Sequence, residues 1–141
     1  MRIVGLDVGE RRIGVAISDA TRTLARPLGV LRPRSLDTDG VPLAAEEIAR
    51  LAAEEDGVAS IVVGLPRHLD GSDSGMTPRV KVFAAQLGQR TGLPVLLQDE
   101  RLTSREAESR LALTDKDWRT RKQRLDAAAA AIILQDYLDQ M

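Results

Sequence analysis

The sequence RIVGLDVGERRIGVAISD, residues 2–19, contains two apolar runs on either side of a short charged turn. Residues 2–8 and 12–18 have the composition of β-strands, and Gly9 can take the backbone conformation that hairpin turns often need. The stretch therefore predicts a hairpin of two central strands. A single carboxylate, Asp7, interrupts the first apolar run, and a charge at such a position needs a reason.

The remaining chain predicts one edge strand, followed by alternating helices and strands. Residues 23–31 form the strand pattern, in which Pro27 marks an edge of the sheet. The later segments are a helix at 42–55, a strand at 59–66, a helix around 80–87, a strand at 94–100, a helix at 103–113 and a last helix at 124–139. This order is that of the ribonuclease H-like fold, an α/β fold whose five-stranded mixed sheet has the order 3-2-1-4-5 and helices on both faces.

Composition limits the kinds of site that the chain can hold. The 141 residues include no Cys and one His, and the net charge is -1. A zinc site of thiolates and imidazoles is therefore excluded, so any metal must be held by oxygen, which favours Mg²⁺ or Mn²⁺. The length predicts one domain over residues 1–141. Short apolar runs and the lack of a signal sequence predict a cytoplasmic protein without a membrane segment.

Three acids stand where a catalytic metal site needs carboxylates. Asp7 lies inside the first strand, Glu100 follows the fifth strand at the edge where open α/β sheets bind ligands, and Asp126 begins the apolar stripe of the last helix. Metal-dependent phosphodiesterases bring such carboxylates together around divalent ions. The structural alternatives are that Asp7 caps the turn after it and that Asp126 stabilises a helix N-terminus. Asp99 or Glu100 could also pair with Arg101, and as strand neighbours these two acids should face opposite sides.

Basic residues supply candidate contacts for phosphates. Because the net charge is -1, any surface that binds nucleic acid must be local. A basic strip at 116–124, expected to precede the last helix, could lead a polyanion towards the acids. The candidate substrate-binding residues are Arg12, Arg101, Lys116, Arg119, Arg121, Lys122 and Arg124. Charge pairing or a solvated surface is the structural alternative for each of them.

Four motifs, in the same order as in a known family, span essentially the whole chain. They are GLDVGERRIGVAISD at 5–19, VVGLPRHLDGS at 62–72, DERLTS at 99–104 and LDAAAAAIILQDYL at 125–138. The chain resembles the YqgF family, whose members are called Holliday junction resolvases or pre-16S rRNA nucleases. The resemblance implies a fold related to the RuvC resolvases, with Asp7, Glu100 and Asp126 as the acidic, metal-binding set. RuvC resolvases carry an acid on the fourth strand, where this chain has VVGLP, so Glu100 would have to replace that acid from the next strand.

The expected function is a Mg²⁺- or Mn²⁺-dependent nuclease that hydrolyses phosphodiester bonds in structured RNA. The resemblance implies that its task is to process the 5′ end of pre-16S rRNA in ribosome biogenesis. Resolution of branched DNA is the alternative, and a non-catalytic nucleic-acid adaptor is a second one. The first motif also looks like the phosphate loop of actin-like ATPases and sugar kinases, but 141 residues leave no room for their second domain. A monomer and a homodimer both remain open.

Overall fold

A computed structural model of the protein describes residues 1–100 and 118–141, with the side chains of residues 118–126 outside the description. The strands are β1 (Arg2–Val8), β2 (Ile13–Ser18), β3 (Ala25–Leu31), β4 (Val58–Leu65) and β5 (Val95–Asp99). The helices are α1 (Val41–Ala52), α2 (Thr77–Thr91) and α3 (Trp118–Asp139), and a π-helical turn, Leu36–Gly40, precedes α1. No helix in the described ranges has both the length and the apolarity that crossing a bilayer requires.

The five strands form one mixed sheet in the order β3-β2-β1-β4-β5. The β1–β2 and β2–β3 pairs are antiparallel, and the β1–β4 and β4–β5 pairs are parallel. This topology confirms the predicted ribonuclease H-like sheet. The carboxyl ends of β1, β4 and β5 consequently meet at one edge of the sheet, which is where open α/β sheets bind their ligands.

Two hydrophobic clusters cover the two faces of the sheet, as predicted. Alternate residues of β1 point to opposite sides. Val4 and Leu6 belong to the larger cluster, which includes buried residues of α1 and α2. Ile3 belongs to the smaller cluster, which includes buried residues of α3. Asp7 continues the second series, so it lies on the α3 face of β1.

Small residues let α3 approach the sheet closely. A Cβ atom added to Gly5 would lie 2.7 Å from Leu134 Cβ and 3.1 Å from the carbonyl oxygen of Ala130. In β2, Ala16 is fully buried in the same cluster as Ala130. The face of the hairpin that carries these small residues is therefore the face against which α3 packs.

The last helix starts earlier than predicted. The sequence prediction placed the basic strip before a helix at 124–139, whereas α3 begins at Trp118 and includes the strip from that residue onwards. The predicted start of this helix was therefore wrong. Arg, Lys and Gln are good helix formers, and 118–124 has no Gly or Pro to end a helix. The predicted helix at 103–113 lies outside the described residues.

Candidate active site

Asp7 is a buried carboxylate in the centre of the sheet. It lies near the carboxyl end of β1, opposite Gly14 of β2, and is 8% exposed. Burying an isolated carboxylate is costly, so such a group is normally paired, protonated or bound to a cation. The charged groups that can interact with Asp7 are those near it on the face of the sheet that α3 covers.

Glu100 brings a second carboxyl to the same place from two strands away. Its backbone N–H donates to the carbonyl of Leu65 at 3.2 Å, which extends the β4–β5 pairing by one residue. Its side chain then lies over β4, because a Cβ atom added to Gly64 would stand 2.8 Å from Glu100 Oε2 and 3.1 Å from its Cδ. The register that pairs Leu6 with Val63 places Gly64 beside Asp7. Glu100 thus reaches across a glycine towards Asp7.

The two carboxyl groups are close enough to perturb each other strongly. Burial, the negative charge of Asp7 and a hydrogen bond with Asp7 raise the pKa of Glu100 to about 9, and the charge of Asp99 adds to this effect. The nearby guanidinium of Arg12 acts in the opposite direction but does not cancel the rise. The raised pKa keeps Glu100 protonated at neutral pH when no cation is bound, and the protonated carboxyl donates a hydrogen bond to Asp7.

One oxygen of this pair is left without a partner. Glu100 Oε2 is buried, and no hydrogen-bond donor for it exists among the described residues. A buried acceptor that lacks a partner costs free energy, and in active sites it often marks the position of a missing ion. Two adjacent carboxyl groups, one of which has an oxygen without a hydrogen-bond partner, provide oxygen ligands of the kind that a hard divalent cation prefers. The residues present therefore fit Mg²⁺ or Mn²⁺.

A complete metal site is not visible within the described part of the chain. No three acidic or imidazole side chains there are grouped closely enough to hold an ion. The third predicted ligand, Asp126, is in the helical part of α3, but its side chain lies outside the description.

Arg12 is the predicted basic residue that the structure brings to the acids. It follows the β1–β2 turn, which the Gly9 N–H closes by donating to the Arg12 carbonyl at 2.8 Å. Its side chain folds back over Gly9, where a Cβ atom would collide with it. An ion pair between Glu10 and Arg79 of α2 holds the other side of the turn. This arrangement keeps a guanidinium beside Glu100.

The side chains of the remaining predicted basic residues lie outside the description. Arg101 and Lys116 lie outside the described residues. The four others are in α3 without described side chains, and they are Arg119, Arg121, Lys122 and Arg124. Gly64 was not predicted as part of the site, although it is the glycine of the VVGLP motif on the fourth strand.

The sheet order defines a ribonuclease H-like fold, and the carboxyl groups of Asp7 and Glu100 meet at the edge where such sheets bind their ligands. A family model described as "RuvX: Holliday junction resolvase" matches residues 1–140. The chain therefore belongs to this family, which confirms the family and the enzyme class, hydrolysis of phosphodiester bonds, that the motifs predicted.

Similar proteins extend over nearly the same length. A relative from Anaeromyxobacter sp. (strain Fw109-5) is 44% identical over 139 residues, which cover 99% of this chain and 97% of the relative. A relative from Moorella thermoacetica is 43% identical over 141 residues, covering 100% and 96%. Both are described as candidate pre-16S rRNA nucleases. Thermus thermophilus RuvC, solved in complex with a Holliday junction substrate, has a TM-score of 0.55 at 15% identity over 99% of this chain and 96% of RuvC, which supports the fold.

Proposed function

We propose that this protein is a cytoplasmic, divalent-metal-dependent nuclease that processes the 5′ end of pre-16S rRNA, with residues 1–141 forming one nuclease domain. The observation that carries the metal-dependent chemistry is the crowded pair of Asp7 and Glu100, with its orphan oxygen, at the carboxyl edge of the sheet. The names of the full-length relatives support the RNA substrate.

In this proposal Asp7 and Glu100 hold Mg²⁺ or Mn²⁺, and Asp126 is the third ligand. The direction of α3 supports this choice. Gln135 Nε2 and Oε1 bond to the backbone at the start of β3, so the C-terminal half of α3 lies over the end of the sheet remote from the site. The helix passes Gly5 at Ala130. Position 126 lies one turn earlier, in the direction in which Asp7 follows Gly5.

The chain's own groups would each have a defined task. When bound, the divalent ion supplies charge to polarise the phosphate and to lower the pKa of the attacking water. The carboxylates of Asp7 and Glu100 orient that ion, and Glu100 gives up its proton when the ion binds. Arg12, beside Glu100, would stabilise the negative charge that develops on the phosphate oxygens.

Branched DNA is the second candidate substrate. The description of the matching family model names a Holliday junction resolvase, and the RuvC structure of the same fold was solved with a junction. A non-catalytic adaptor would have no use for a buried pair of carboxyls that destabilises the site, and Asp7 and Glu100 favour the enzyme over that alternative.

A comparison of three substrates tests the proposed function. We expect the purified protein to cleave labelled precursor 16S RNA with Mg²⁺ or Mn²⁺, and to cleave it faster than linear duplex DNA or a four-way junction. Chelation of the ion should stop the reaction because the carboxylates alone cannot activate water. Undiminished cleavage with chelator would contradict the metal mechanism, and cleavage of the junction alone would contradict the RNA assignment.

The basic residues of α3 are proposed to bind the phosphate backbone. A helical repeat of 3.6 residues puts Arg119 and Lys122 on the same side of α3 as Asp126, whereas Arg121 and Arg124 fall on the opposite side. Arginine and lysine beside the acids would hold the substrate near the reacting phosphate.

Two double variants with the same loss of charge test this proposal. We expect Arg119→Ala with Lys122→Ala to weaken RNA binding and to reduce the slope of log affinity against log salt by roughly one unit per lost contact. Arg121→Ala with Arg124→Ala is the matched control and should change the slope less. Binding isotherms at four salt concentrations measure both. Equal losses from the two pairs would mean that net charge, and not this side of the helix, attracts the RNA.

A further inference from the structure

We propose that Gly64 is a positioning residue for the metal site, because its missing side chain is the space through which Glu100 reaches Asp7. This inference rests on the proposed function, since it concerns the same carboxylates. It gives β4 a role in the metal site although this strand contains no charged residue. β4 leaves space at Gly64, and the carboxylate comes from Glu100, the residue that follows β5.

The geometry places Gly64 between the two acids. The strands β1, β4 and β5 are neighbours in this order. Asp7 lies in β1, Gly64 lies in β4, and Glu100 directly follows β5. The carboxyl of Glu100 lies over the Cα of Gly64, with Oε2 2.8 Å from the position of an added Cβ. Any side chain at position 64 would therefore occupy the route from β5 to β1.

Backbone conformation does not explain this glycine. The described glycines with positive φ are Gly57, Gly71 and Gly92, and Gly64 is not among them. It lies inside a regular strand and pairs in register with Gln98 of β5. A residue with a side chain can adopt such a conformation without strain, and glycine weakens a strand interior. The space above Gly64 is therefore the property that requires glycine.

Two side chains share that space, and they can be separated by mutation. The added Cβ would be 2.5 Å from Ile133 Cδ1 and 2.8 Å from Glu100 Oε2. Ile133 is a fully buried residue of α3, so its contact concerns helix packing. Ile133→Val removes the Cδ1 atom and relieves that contact, but leaves the contact with Glu100. A double variant can thus keep the packing and still displace the carboxyl.

The experiment measures Mn²⁺ affinity without nucleic acid, by titration calorimetry, together with melting temperature. The variants are Gly64→Ala, Ile133→Val, Gly64→Ala with Ile133→Val, and Glu100→Gln. Gly29→Ala is the control, because a Cβ there meets nothing within 4 Å. We expect Gly64→Ala to melt lower than wild type, and the double variant to melt close to Ile133→Val alone. Both proteins that carry alanine at 64 should bind Mn²⁺ roughly 10–100-fold more weakly, as when the support of a metal ligand is lost.

The outcomes distinguish this inference from the proposed function. Weak Mn²⁺ binding by Glu100→Gln and by the double variant, with normal binding by Ile133→Val and Gly29→Ala, supports both. If Glu100→Gln binds weakly but the double variant binds like wild type, Gly64 serves helix packing only and the inference is wrong. If Glu100→Gln binds Mn²⁺ as tightly as wild type, Glu100 is not a ligand, and the proposed metal site fails together with the inference.

Discussion

The Asp7→Asn protein is expected to fold normally and to lose at least ~10³-fold in cleavage rate, because a metal ligand is worth several kcal/mol in the transition state. Asparagine keeps the shape of the side chain but removes the anion that attracts and balances a cation. The same change removes a buried negative charge, whose desolvation costs free energy when no cation is bound. The metal-free protein should therefore be as stable as wild type or more stable, a pattern typical of active sites.

Initial cleavage rates and metal-free melting curves are the measurements for this prediction. Asp56→Asn is the control, because it makes the same chemical change at an exposed residue of the turn before β4. It should leave both quantities unchanged. A purely structural Asp7 would give the opposite pattern, a lower melting temperature with cleavage lost only in proportion to unfolding. Wild-type cleavage by a folded Asp7→Asn protein would exclude a catalytic role.

The fold was predictable because its signals are local. Alternation of residues predicts the β1–β2 hairpin, and Pro27 predicts the edge position of β3, where the β2–β3 register shifts beside it. Helical spacing predicts α1, but the helix ends at Ala52 rather than at 55. Turns at 53–56 then lead to Gly57, which has a positive φ. The predicted start of α3 was wrong, because the basic strip belongs to the helix from Trp118 onwards.

The sequence singles out Asp7 and Glu100 as candidates, but it does not predict the geometry by which the structure brings them together. Asp7 and Glu100 are conspicuous in the sequence because each follows or interrupts an apolar run. Their meeting depends on the sheet order, which puts β4 between them, and on the bare backbone at Gly64. No periodicity in the sequence reports that a side chain crosses a neighbouring strand. The raised pKa of Glu100 follows from this crossing, so it also required the structure.

The second large effect is the pH dependence of stability of the metal-free protein. The pKa of Glu100 rises from its ordinary value of 4.5 to about 9, first through burial and then through Asp7. Between these two values the native state binds a proton that the unfolded state has released. Stability must therefore decrease as pH rises through this window, by up to about 1.4 kcal/mol per pH unit for one group. It is regained on acidification towards the lower value.

Glu100→Gln should remove this dependence. Glutamine donates a hydrogen bond to Asp7 as the protonated acid does, and it has no proton to lose. We expect the variant to exceed wild type in metal-free stability at pH 8.5 by an amount on the order of a few kcal/mol, and to match it near pH 5. Urea unfolding at several pH values measures the difference. Glu46→Gln, at an exposed position of α1, is the control and should follow wild type at every pH.

The number of protons released when Mn²⁺ binds at pH 7.5 tests the shared carboxylate site most directly. It is obtained by titration calorimetry in two buffers with different ionisation enthalpies. Wild type should release about one proton per bound ion, because Glu100 is protonated before binding and must ionise to become a ligand. Glu100→Gln should bind more weakly and release none. Tight Mn²⁺ binding by wild type without proton release would contradict the account, since the ion would then occupy a site that does not include Glu100.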